Sequence, residues 1–321
     1  MEQVRAALEA RQVAIYFAAI AVGALVGLTV PTASALEFAI NPALAVMLFV
    51  TFLQVPLAEL GAALRNTRFL GALLATNFVV MPAVTAVLVQ FLPYDPMLRL
   101  AVLFVLLTPC IDYVVTFTHL GRGDARLLLA ATPALLLLQI GLLPVYLRLV
   151  LGGDASGLVQ PGPFIHAFVW LIAAPLVLAG AVQLWAQRAA SGVRAATAFG
   201  LLPVPATALV LFLVLASVMP RIGEASAAAL TAAPIYVAYA ILAPVIGWLV
   251  ARNLRLEPRA IRAVSFSAAT RNSLVVLPLA FAIPGGVPTL PAVIVTQTII
   301  ELVSELLYVR WIPRLSTKLP Q

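Results

Sequence analysis

Leu107-Thr108-Pro109-Cys110-Ile111-Asp112-Tyr113 and Ala269-Thr270-Arg271-Asn272-Ser273-Leu274 each interrupt a long apolar segment near its middle. Pro109 has no amide hydrogen and strains any helix built around it. Asp112 and Arg271 carry charge at a depth where an isolated charge costs at least about 2.5–3.5 kcal/mol. Interrupted helices at corresponding positions are how secondary transporters build a substrate site at the membrane midplane. The two stretches therefore predict a carrier.

The composition outside them agrees. The chain is 63% hydrophobic and 10% charged, with mean hydropathy +1.10, far from the soluble range. A helix needs about 20 apolar residues to cross the hydrocarbon core. Ten stretches qualify: 13–30, 41–60, 69–92, 98–120, 126–151, 163–184, 199–219, 228–250, 260–283 and 287–311. The connections between them are too short for a soluble domain. Residues 1–321 are thus expected to form one all-α membrane transport domain.

The net charge of +7 reports orientation rather than a nucleic-acid partner. With the N-terminus inside, fifteen of the nineteen Lys and Arg fall on the cytoplasmic side, among them Arg65, Arg68, Arg122, Arg126, Arg188, Arg194, Arg252, Arg255, Arg259, Arg310, Arg314 and Lys318. Arg99, Arg148 and Arg221 fall outside, and Arg271 lies within the membrane. This is the positive-inside pattern. It predicts a multi-pass protein of the cell inner membrane with both termini cytoplasmic. Ala33-Ser34-Ala35 has the look of a cleavage site, but the run before it is long and its leader contains Glu2 and Glu9, so it is read as a span. The single cysteine excludes an intrachain disulfide.

Sliding the chain by 162 residues pairs Pro82 with Pro244, Thr108 with Thr270, Val114 with Val276, Gln139 with Glu301, Tyr146 with Tyr308 and Arg148 with Arg310. At 163, the run 41–49 meets 204–212. Weak internal symmetry of this kind marks a transporter built from repeats. Five helices per copy is an odd number, so the second copy must be inverted. The expectation is ten helices in two inverted repeats, about 12–151 and 162–315, with broken, crossing fourth and ninth spans. Gln187–Ala198 is read as the loop between the copies.

Depth along the helices brings the candidate residues to one layer. Cys110 lies about 16 Å from the start of its span at 1.5 Å per residue, half of an about 30 Å core. Arg271 and Asn272 reach similar depth from the other side, and Glu301 lies slightly past the middle of the tenth span. Asp112 and Arg271 are either an ion pair that fixes helix registry or groups that line the site and change partners. A fixed guanidinium beside a broken helix is suited either to take the place of a coupling cation or to hold an anionic substrate. Glu301 and Glu305 share a helix face with Gln297 and are the candidate proton carriers. Cys110 follows the helix-breaking Pro109, and a soft thiolate favours thiophilic species. One thiol would hold trivalent arsenic weakly enough to release it. His119 and His166 are read as interfacial. No Walker loop, zinc spacing or nucleophile elbow occurs, so neither a cofactor nor an enzyme is expected.

At Thr108-Pro109-Cys110, the Leu120-Gly121-Arg122-Gly123-Asp124 turn, Phe266-Ser267-Ala268-Ala269-Thr270-Arg271-Asn272 and Glu301, the chain resembles the bile acid/arsenite transporter superfamily, and within it the arsenical-resistance permeases. The resemblance implies export of arsenite, sometimes antimonite, in exchange for protons and without ATP. It assigns Cys110 to arsenic contact and Glu301 to coupling. Asp112 and Glu305 are the further coupling candidates, with Thr108, Asn272 and Arg271 lining the site. The bile acid branch of the resemblance implies instead an organic anion held by Arg271, with sodium or proton coupling. The chain departs from the permeases in having Arg271 where they usually carry asparagine, and no glutamate near Leu274. The helix-nine acid by which bile acid carriers bind sodium is absent too.

Overall fold

The computed structural model describes residues 2–54, 66–111, 113–152, 165–166 and 168–315. These residues are helical apart from short connections. In chain order the helices are α1 (Glu2–Thr29), α2 (Ile40–Gln54), α3 (Thr67–Ala75), α4 (Met81–Val89), α5 (Pro96–Leu106), α6 (Tyr113–Leu120), α7 (Ala125–Leu151), α8 (Ala174–Arg188), α9 (Ala190–Phe199), α10 (Pro203–Val218), α11 (Ile222–Asn253), α12 (Pro258–Ala269), α13 (Ser273–Phe281) and α14 (Thr289–Leu315). A wide π turn over Thr76–Val80 joins α3 to α4.

Eight stretches of helix among the described residues are long and apolar enough to cross a membrane. The predicted fourth and ninth spans are not among them, because each is cut in two, into α5 and α6 and into α12 and α13. One expectation needs correction. Gln187–Ala198 is not a loop: α8 runs to Arg188, Ala189 alone is extended, and α9 follows at once. Alanine-rich sequence favours helix here. Gly192 allows the close return, since a Cβ there would lie 2.5 Å from the Trp185 carbonyl carbon.

The chain forms two compact units. The first draws on residues 1–54, 160–226 and 277–292. Its main packing is α1 on α10, and the reason is a small-residue seam. A Cβ on Gly23 would sit 2.6 Å from Phe212 O, and one on Gly27 2.5 Å from Met219 Cβ. Glycines four apart let helix backbones approach where lipid supplies no hydrophobic drive. Gln183 ties α8 to α2 by donating to Phe52 O and Leu53 O at 3.3 and 3.2 Å.

The second unit draws on residues 55–159, 227–276 and 293–321. Its centre is α5, whose residues Leu100 to Leu106 are all buried. Asp95 starts this helix by accepting from Met97 N and Leu98 N at 2.9 and 3.2 Å, with Pro96 at its first position as an N-terminus prefers. The turn after α6 docks on α12: Asp124 N donates to Arg259 O at 2.9 Å, and Gly121 has no room for a Cβ because the Phe266 ring lies 2.2 Å from where it would stand. Tyr146 donates to Phe78 O at 2.5 Å, and Tyr308 donates to Ala240 O. Each of these bonds spans 68 residues, and their two ends are 162 positions apart.

Candidate functional site

The two helix breaks meet inside the second unit. Residues 107–111 leave α5, and Thr270 to Asn272 leave α12 in extended form, with Pro109 and Arg271 opposed in an antiparallel bridge. Cys110 N donates to Thr270 O at 3.1 Å, and Asn272 N donates to Thr108 O at 2.8 Å. The cause is a shortage of partners. Breaking a helix strips its backbone groups of bonds that the bilayer cannot replace, each at several kcal/mol. Here each break supplies the bonds the other has lost. Pro109 brings no amide hydrogen to the exchange, so it can occupy the centre without leaving a donor stranded. The exchange is itself reciprocal: Thr108 lies 162 positions from Thr270, Pro109 from Arg271 and Cys110 from Asn272. Thr108 and Thr270 each also bond back to the carbonyl four residues earlier, at 2.9 and 2.7 Å.

Cys110, Thr108, Arg271, Asn272, Glu301 and Glu305 are thus brought together, all of them buried. Asp112 lies outside the described residues, so neither of its two readings with Arg271, ion pair or exchanging site groups, falls on them. Glu301 collects three donors: Tyr113 Oη at 2.5 Å, Arg271 N at 2.7 Å and Gln297 Nε2 at 2.6 Å. The link between Arg271 and Glu301 is therefore through the backbone of the break. Glu305 accepts from Thr270 Oγ1 at 2.5 Å, while its second oxygen has no hydrogen-bond partner. It is fully buried, which excludes the hydrated helix-end position its sequence offset would also permit. Asn272 Nδ2, Gln297 Oε1 and Arg271 Nε are likewise buried without a partner among the described residues.

Among the described residues the Arg271 guanidinium forms no ion pair with Glu301 or Glu305. Its Nη2 donates to Asn77 Oδ1, Ser267 O and Ala268 O at 2.8, 2.7 and 2.7 Å, and Nη1 reaches Leu106 O at 3.5 Å. The Tyr239 ring lies 5.5 Å from its central carbon. Asn77 is held by the wide turn between α3 and α4, where Nδ2 also donates to Ser267 Oγ at 2.9 Å. Sequence reasoning passed over Asn77, Tyr113 and Tyr239. Asn77 was findable, as an amide near the middle of an apolar span. The tyrosines carried no such signal, since aromatic residues are common throughout such helices. His119 and His166 lie outside the cluster, both exposed.

The sequence profile of the sodium bile acid symporter family matches residues 41–224, which covers both residues of the first break that carry the crossing, Thr108 and Cys110. The chain belongs to the sodium bile acid symporter family. A comparison with curated proteins gives no match. For this family member, small-molecule transport across a membrane follows from the family together with the apolar helices. A site made of crossed helix breaks is chemically apt for that task, because carbonyls, amides and carboxylates are gathered where the rest of each helix is hydrocarbon.

Proposed function

We propose that this protein is a secondary active transporter exporting arsenite, and antimonite with it, across the cytoplasmic membrane in exchange for protons. The observation that carries the coupling is Glu301, a buried carboxylate whose three donors include the backbone N–H of the break itself. A proton taken by Glu301 occupies an oxygen that those donors use, so the protonation state is felt by the extended segment that holds Cys110 N through Thr270 O. Glu305, bonded to Thr270 on the same segment, is the second proton station. Asp112 adds an acid to the first break.

Cys110 takes the arsenic. As its sulfur bonds to arsenic(III), the thiol proton and one arsenite hydroxide leave as water; hydrolysis reverses the step on release. Arsenic keeps its oxidation state throughout. Thr108 and Asn272 share the crossing with Cys110, and the Asn272 amide nitrogen is buried without a partner among the described residues. The organic-anion reading asks Arg271 to grip a carboxylate or sulfonate, but its Nη2 hydrogens are already shared among three oxygens.

The wider architecture we propose is ten spans in two inverted repeats, about 12–151 and 162–315, within one transport domain whose termini are cytoplasmic. Support comes from the two tyrosine–carbonyl bonds of identical spacing and from the reciprocal crossing. The eight helical stretches long and apolar enough to cross a membrane, taken with the two interrupted ones, support that count.

Expression in arsenite-sensitive cells tests the substrate. Tolerance should rise, and Cys110→Ser and Glu301→Gln should each abolish the gain while leaving membrane insertion intact. No gain in tolerance, combined with uptake of labelled organic anions that disappears on Arg271→Ala, would replace this reading with the organic-anion carrier.

A further inference from the structure

Among the described residues, every acceptor around the Arg271 guanidinium is a neutral oxygen: the carbonyls of Ser267, Ala268 and Leu106 and the side-chain amide of Asn77. The three carbonyls belong to the last turns of two half-helices, Leu106 ending α5 and Ser267 and Ala268 ending α12. Helix C-termini carry partial negative charge, and here two of them face one point with no carboxylate in the set among the described residues. Neutral carbonyl and amide oxygens are the ligands of small hard cations. The C-terminal ends of broken helices are where transporters coordinate sodium. A buried oxygen cage of this kind requires a positive charge at its centre. In this chain the positive charge is covalently attached.

We infer that Arg271 is a built-in cation: its guanidinium permanently fills an oxygen cage suited to a monovalent ion, so the carrier binds and requires no sodium there. The family is named for sodium coupling, and the residues present do not fit that ion, because Arg271 already uses the oxygens that would hold it. A guanidinium is charged at every accessible pH, so the cage never empties. The charge is fixed in place, and the coupling ion must act elsewhere. Asn77 supplies the one side-chain oxygen of the set and is itself anchored to Leu73 O and Ser267 Oγ at 3.0 and 2.9 Å.

The test is a binding measurement and does not depend on which substrate is carried. Purified protein is melted in detergent with sodium chloride exchanged for choline chloride at constant ionic strength. Wild type should show no sodium-specific shift in melting temperature. Arg271→Ala should melt lower and regain stability saturably with sodium, or with added guanidinium ion, and Arg271→Ala/Asn77→Ala should lose most of that response. Arg271→Lys keeps a tethered charge and should remain indifferent to sodium. If Arg271→Ala does not survive solubilisation, Arg271→Gln is melted in its place. A saturable sodium response in wild type overturns the proposal. So does a folded Arg271→Ala or Arg271→Gln protein that responds to neither ion.

Discussion

Asn77 shows how much a single side chain decides. Its amide oxygen accepts from Arg271 and its amide nitrogen donates to Ser267, so one residue joins the wide turn after α3 to the end of α12. Hydrogen bonds to a charged group contribute about 1.5–3 kcal/mol. Asn77→Ala should lower stability by about that amount, measurable as a drop in melting temperature, whereas Asn77→Asp should keep the acceptor and lose less. Cys110 allows a second measurement, because it is the chain's single cysteine and is fully buried. Small thiol reagents should label it slowly in native membranes and completely in denaturant. Arsenite should slow native labelling further. Rapid labelling of the resting protein would contradict the burial described here.

At the scale of elements, the site depends on helices that are broken rather than on helices that are whole. Residue propensity does not explain the second break: 258–269 is helical and continuous with residues that would extend it. What ends α12 at Ala269 is the exchange of backbone bonds with Thr108 and Cys110. A long-range partner outcompetes the next turn of helix. The same logic applies to the two tyrosine bonds at matched positions. Tyr146→Phe and Tyr308→Phe each remove one hydroxyl bond to a backbone carbonyl and should each cost about 0.5–1.5 kcal/mol. Similar losses for the two variants, read as melting shifts, are expected of repeated units; a loss confined to one would count against the repeat. In the first unit, Gly27→Val should destabilise by about 1–3 kcal/mol through overpacking, since the new Cβ would lie 2.5 Å from Met219 Cβ. An exposed glycine such as Gly141, with open space around it, provides the control.

For the molecule as a whole, proton exchange and sodium independence make a joint expectation. In proteoliposomes, an imposed pH gradient should drive arsenite flux, replacing sodium with choline should leave it unchanged, and Glu301→Gln should remove the response to the gradient. Flux that follows sodium and ignores pH would reverse the assignment of Glu301.

Hydropathy and charge distribution alone determined that the chain is a helical membrane protein, because lipid imposes a length and a polarity on every span that any reading of the residues must respect. The two helix breaks were also legible, since proline, charge and amides are conspicuous against hydrocarbon. So was the gathering of Cys110, Arg271 and Glu301 at similar depth, which follows from counting residues along a helix. Only the tertiary structure decided which groups face which. Helix rotation and long-range pairing depend on packing against distant segments, and no local pattern encodes them. That is why no count of residues along a helix could give Arg271 its carbonyls and Asn77 as partners, or route its contact with Glu301 through a backbone N–H.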